Sequence, residues 1–205
     1  MELLALAWDI AVHLDQHLAA LLAQHGAWVY ALLFFIVFAE TGFVVTPFLP
    51  GDSLLFVAGA LAAAGGMDIW ALNGTLIAAA ALGNSVNYSI GRYLGPKVFH
   101  WENSRFFNKA ALIKTHLFYE RHGGKALVLS RFIPILRTFA PFVAGIGEMT
   151  YVRFQAFNVF GAALWVVSLS LAGYLFGNLP PVKNNLSLVI LAIVVVSVMP
   201  ALVGY

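Results

Sequence analysis

The 205-residue sequence contains no cysteine. That excludes disulfides, thiolate nucleophiles and iron–sulfur clusters, while leaving the compartment open, because a membrane-embedded core needs no covalent staples. Charge is scarce as well: 10% of residues are Asp, Glu, Lys or Arg, against 61% hydrophobic. Such a composition belongs to the polytopic membrane class. No Lys or Arg occurs before Arg92, so the opening M-E-L-L-A-L-A-W-D-I lacks the basic n-region of a cleaved signal peptide.

What basic charge there is clusters. Seven basic residues fall between Arg92 and Lys125 (Arg92, Lys97, Arg105, Lys109, Lys114, Arg121 and Lys125), opposed by Glu102 and Glu120. The positive-inside rule puts the loop over 96–125 in the cytoplasm but assigns no side to the N-terminus. Its basic residues alternate with Phe99, Trp101, Phe106 and Phe107, the pattern of an amphipathic helix on anionic headgroups; no nucleic-acid partner is expected.

Residues 1–26 read as an interfacial amphipathic helix, with Leu3, Leu6, Ile10, Leu14, Leu18 and Leu21 at helical spacing. Asp9, His13 and His17 stand one helical turn apart, but no second constellation completes a metal site, so a solvated polar face is expected and no metal. Spanning helices are expected over 70–93, 154–177 and 186–205. The last of these runs ends without a basic flank, so a short cytoplasmic tail is expected beyond it. Gly91 and Gly95 form a small-xxx-small step that permits close helix contact, within the chain or in a homo-oligomer.

Two apolar stretches are broken in a way that a plain span is not. Over 27–66 the interruptions are Glu40, Pro47, Pro50, Gly51 and Asp52; over 126–149 they are Arg131, Pro134, Arg137 and Pro141. A charged side chain at mid-bilayer depth costs about 2.5–3.5 kcal/mol on insertion scales. Clustered Pro and Gly remove helix hydrogen bonds, tolerated at that depth only against protein or water. Both stretches therefore read as re-entrant hairpins, the first with its tip at Pro47, Pro50 and Gly51, the second with Pro134 and Pro141 at its turn. A kinked spanning helix with interfacial acids is the competing reading of the first.

The two stretches repeat one another. Phe48-Leu49-Pro50 recurs as Phe132-Ile133-Pro134, and Phe56-Val57-Ala58-Gly59 recurs unchanged as Phe142-Val143-Ala144-Gly145. With one crossing between them, the second hairpin enters from the opposite side of the membrane. The expected fold is thus an all-α integral membrane protein, one polytopic domain built from an inverted repeat of re-entrant hairpin plus transmembrane helix, with amphipathic helices. Tip to tip, Glu40 and Asp52 would face Arg131 and Arg137. Four such charges left alone would cost about 10–14 kcal/mol, so mutual pairing is expected.

Guanidinium forks suit phosphate and carboxylate oxygens. A carboxylate in a partly dry site has its proton affinity raised by burial and lowered by a neighbouring Arg. Glu40 or Asp52 could thus carry a proton in one state and return it in another while an Arg grips an anionic headgroup. The alternative is a salt-bridge cluster that only holds the hairpins together.

Read together, F-A-E-T-G at 38–42, F-L-P-G-D-S-L-L-F-V-A-G at 48–59, N-Y-x-I-G-R-x-x-G at 87–95, R-F-I-P-I-L-R-T-F-A-P-F-V-A-G at 131–145 and N-x-x-G-A-x-x-W at 158–165 resemble the DedA family of membrane proteins, with the SNARE-associated or VTT domain architecture. The resemblance implies transbilayer lipid movement linked to the proton motive force in the bacterial inner membrane, with undecaprenyl phosphate or a phospholipid as substrate. It also implies that the family's essential acids fall on Glu40 and Asp52 and its essential arginines on Arg131 and Arg137. No cofactor is implied. Two other classes compete: a proton-coupled ion or small-solute antiporter using the same acids, and a membrane lipid phosphatase with Ser53 or Ser130 as nucleophile. The phosphatase lacks a histidine base, since all six His lie outside the two hairpins. No enzymatic activity is therefore expected.

Overall fold

The computed structural model describes residues 14–43, 51–99, 124–147 and 149–183, together with 185, 188–189 and 192–193. All regular structure among them is helical: α1 (Leu14–His25), α2 (Trp28–Gly42), α3 (Gly51–Ala63), α4 (Ile69–Phe99), α5 (Gly124–Ser130), α6 (Pro134–Ile146), α7 (Tyr151–Phe176) and α8 (Pro180–Lys183). Asp9 and His13, the tip prolines Pro47 and Pro50, the basic loop over 100–123 and most of the final apolar run lie outside the described residues. His17 is exposed on α1.

Length separates the helices into two kinds. At 1.5 Å per residue, the 31 residues of α4 and the 26 of α7 reach about 46 and 39 Å, beyond the ~30 Å of a hydrocarbon core. Among the described residues, α4 over Ile69–Leu94 and α7 are the helices long and apolar enough to cross a membrane. The 15 residues of α2, 13 of α3, 7 of α5 and 13 of α6 reach only about 10–22 Å. Large apolar side chains such as Trp28, Phe35, Trp70 and Val152 stand exposed on these helices, as a hydrocarbon solvent allows.

The described residues fall into two compact units. The first comprises those of Met1–Ile36, Phe48–Ala78 and Leu164–Tyr205; the second comprises those of Val37–Pro47 and Ala79–Ala163. In the first unit, α3 is buried along nearly its whole length, and α1 packs against it. Gly65, at φ +83°, closes α3: this left-handed position suits glycine, and the Gly66 N–H returns to the Leu61 carbonyl at 3.1 Å. Asp68 then caps α4, its Oδ1 accepting the Ala71 N–H at 2.7 Å. Contact between α3 and the C-terminal half of α7 rests on missing side chains. A Cβ on Gly173 would strike the Phe56 carbonyl, and one on Gly59 would strike the Ser170 carbonyl.

The second unit repeats that contact with other helices. Here a Cβ on Gly91 of α4 would strike the Phe142 carbonyl of α6, and one on Gly145 would strike the Tyr88 carbonyl. Each F-V-A-G segment thus offers its Phe carbonyl to a glycine on a long helix and lays its own glycine on the carbonyl three residues earlier. Gly91, one half of the small-xxx-small step, is therefore used inside the chain. The unit's core is Tyr88, Leu127, Ala140, Ala144 and Phe154, with the Tyr88 and Phe154 rings stacked at 4.3 Å.

Candidate functional site

In the second unit α2 and α4 come within backbone contact. A Cβ on Gly42 would lie 3.4 Å from the Gly83 Cα, and one on Gly83 would run into the Thr41 hydroxyl and the Phe38 carbonyl. This approach carries Glu40, one helical position from Thr41, into a fully buried setting.

The hairpin of α5 and α6 delivers the cations. Between them lies a three-residue turn, closed by N–H bonds from Arg131 to Val128 O (3.3 Å), Phe132 to Leu129 O (3.2 Å) and Ile133 to Ser130 O (3.0 Å). Ile133 is extended (φ −119°, ψ 109°) because the next residue is proline, and Pro134 occupies the first helical turn, where a missing N–H costs nothing. Arg131 therefore sits at the turn and Arg137 one turn into α6. Pro141, inside α6, has no N–H to give to the Arg137 carbonyl.

Arg137 forms an ion pair with Glu40, Nη2 to Oε1, and both side chains are buried. Such a pair has a large desolvation penalty and persists only when its surroundings are held in place. Asn87 holds them: its Nδ2 donates to the Thr138 carbonyl at 2.7 Å and the Thr41 carbonyl at 3.2 Å, tying together the backbone next to each partner. Thr41 in turn donates its hydroxyl to the Val37 carbonyl at 2.8 Å.

Arg131 is held differently. Its Nη2 donates to Asn158 Oδ1 at 2.6 Å and to the Asn158 carbonyl at 3.1 Å, and its stem lies 3.1 Å from where a Gly161 Cβ would be. It is 4% exposed, and among the described residues no carboxylate lies within ion-pair distance of it. Arg137 is close enough for its charge to act on Arg131. Within the second unit the described contacts are thus one ion pair, Arg137 with Glu40, and one guanidinium on neutral acceptors. Asn158 can serve because its amide is anchored elsewhere, through Nδ2 to the Ala81 carbonyl and Gln155 Oε1, both at 2.9 Å, while Asn84 Nδ2 donates to the same Oδ1 at 3.1 Å. The Oδ1 atoms of Asn84 and Asn87 are buried and accept no hydrogen bond among the described residues.

Asp52 belongs to the first unit. It lies in the first turn of α3, where the helix dipole favours an acid, and Oδ1 accepts the Trp165 indole N–H at 2.9 Å. Gly51 opens the same helix. Asn84, Asn87, Asn158 and Trp165 were not among the sequence-predicted site residues. The signal for the asparagines was present as amides interrupting apolar crossings; Trp165 stood in the sequence only as the last residue of the N-x-x-G-A-x-x-W motif, with nothing to tie it to Asp52.

Residues 49–175 match the VTT domain. Over 205 residues the chain is 53% identical to Protein DedA of Escherichia coli strain K12, covering 99% of this chain and 94% of that one. The chain belongs to the DedA family. This DedA-family membrane protein is also 45% identical over 169 residues to an uncharacterized membrane protein of Mycobacterium leprae, covering 82% of this chain and 76% of the other. To Inner membrane protein YghB of E. coli K12 it is 36% identical over 191 residues, covering 90% and 82%. No solved structure matches it.

Proposed function

We propose that this DedA-family protein is a multi-pass inner-membrane transporter that moves a lipid phosphate, undecaprenyl phosphate or a phospholipid, between leaflets in a step linked to the proton motive force. The observation that carries the proposal is Arg131: among the described residues it is a buried guanidinium on neutral acceptors, while Arg137 is matched by Glu40, and an anion could meet that charge. A phosphate headgroup has the charge and the fork-matching oxygens for that position. Protonation of Glu40 weakens its hold on Arg137, so both guanidiniums can then grip one phosphate. Loss of the proton returns Arg137 to Glu40 and releases the lipid. Asp52, which accepts the Trp165 indole N–H, is the second candidate acid.

In this proposal α2 with α3, and α5 with α6, are re-entrant hairpins of opposite orientation. Their short reach, the two long helices and the twice-made F-V-A-G contact support it. The inner-membrane location draws on the name of YghB. Transport is favoured over lipid hydrolysis because both candidate nucleophiles are buried, Ser53 at 1% exposure and Ser130 with its hydroxyl given to the Leu127 carbonyl at 2.9 Å.

Proteoliposomes test it. Labelled undecaprenyl phosphate and, separately, phosphatidylethanolamine would be followed across the bilayer with and without a pH gradient, in wild type, Glu40→Gln and Arg131→Ala. One lipid should move in wild type, respond to the gradient and stop in both variants. If neither lipid outpaces empty vesicles, the lipid proposal fails and cation-dependent proton flux becomes the assay for the antiporter alternative.

A further inference from the structure

The second unit carries a cavity of about 590 Å³ along one face of α4, lined by Phe38 and by Leu82, Ser85, Val86, Ser89 and Tyr93 among others. The α4 residues recur every three or four positions, and from Leu82 to Leu94 the groove follows the helix for about 18 Å, roughly one leaflet of hydrocarbon. Leu82, Val86 and Tyr93 are exposed at its mouth. Both serines give their hydroxyl protons to their own helix, Ser85 to the Ala81 carbonyl and Ser89 to the Ser85 carbonyl, each at 2.7 Å, so the wall asks no hydrogen bond of an occupant. One end is tied to a polar network. Ser85 Oγ accepts from Gln155 Nε2 at 2.7 Å and lies 3.5 Å from Asn158 Nδ2, whose Oδ1 takes Arg131.

We infer that this groove receives a hydrocarbon chain of the same lipid phosphate whose headgroup Arg131 meets, so that the lipid enters sideways from its leaflet along α4. The inference rests on the proposed transport function. Apolar length connects to buried positive charge through Ser85 and Asn158, the order of parts in an amphiphile with one anionic end. Hydrocarbon in the groove loses nothing, and the phosphate is thereby aimed at the cation. A neutral lipid of the same chain would fill the groove without that anchor.

The test uses the full-length protein in nanodiscs with two photoactivatable probes of one chain: a polyprenyl phosphate and the matching polyprenol, each with a diazirine in the chain. The phosphate should label residues 82–94 at least fivefold more than the alcohol, and Arg131→Ala should erase the difference. Val86→Trp, at an exposed position that leaves the core intact, should cut both the phosphate's labelling and its transport about tenfold. Equal labelling by both probes would mean annular lipid only and overturn the inference, as would wild-type transport by Val86→Trp. If wild type transports the phosphate yet labels without preference, the groove alone is wrong. If it neither transports nor prefers the phosphate, the transport proposal falls with it.

Discussion

The two units make the same backbone contact and carry different chemistry. In the first, the Phe56 carbonyl meets Gly173 and Gly59 meets the Ser170 carbonyl; in the second, Phe142 meets Gly91 and Gly145 meets Tyr88. The polar content laid over this common frame diverges. The first unit has an acid held by an indole, Asp52 with Trp165, and a neutral bond from Ser170 to Asn73 at 2.6 Å. The second has the Glu40–Arg137 pair and Arg131 on Asn158. Packing between helices without hydrophobic drive depends on close backbone approach, so the glycines and carbonyls that make such a contact cannot drift far. Charges are free to change so long as each buried one is satisfied.

The largest break in that comparison should come from the second unit's ion pair. Arg137→Ala strands Glu40 without its cation and should lower stability by about 3–5 kcal/mol, read as thermal unfolding in detergent. Replacing both partners, Glu40→Leu with Arg137→Leu, should recover most of that stability and none of the lipid flux. A double variant that still transports would reduce the pair to scaffold. Asn158→Ala comes next: it removes the side-chain acceptor of a buried guanidinium and should cost about 1.5–3 kcal/mol, with flux lost. Asn158→Asp should depress flux as well, because it gives Arg131 a permanent anion of its own while removing the N–H bonds to the Ala81 carbonyl and Gln155 Oε1.

Smaller effects probe the shared frame. Gly59→Ala and Gly173→Ala in the first unit, and Gly91→Ala and Gly145→Ala in the second, should each cost about 1–3 kcal/mol by forcing helices apart. The costs should match between units; a second unit that tolerates its pair while the first does not would show that the contacts are alike in geometry only. Smallest of all, Trp165→Phe keeps the ring and removes the donor to Asp52. It should cost about 0.5–1.5 kcal/mol and slow, without abolishing, gradient-driven flux.

Much of this was legible in the sequence because charge and proline are conspicuous in an apolar chain. Glu40, Arg131 and Arg137 stood out for that reason, and so did the repeated F-V-A-G. Who bonds to whom was not legible. A charge-matching argument pairs acids with bases, whereas Arg131 goes to an asparagine, since one amide can offer both its own Oδ1 and its backbone carbonyl to the same nitrogen. Asn87 was invisible as a clamp for a related reason: its two bonds go to carbonyls at Thr41 and Thr138, and backbone acceptors carry no sequence signature. The role of Gly91 depended on a partner 51 positions away, Phe142, that only the fold brings to it.

The Glu40–Arg137 pair spans 97 positions of sequence, and that separation has a temporal meaning. A ribosome adding about 5–20 residues per second emits Glu40 roughly 5–20 s before Arg137 exists. Through that interval α2 has no Arg137 with which to pair its acid. Closing the pair is therefore a late event of synthesis, and a chain that stops short of α6 never makes it.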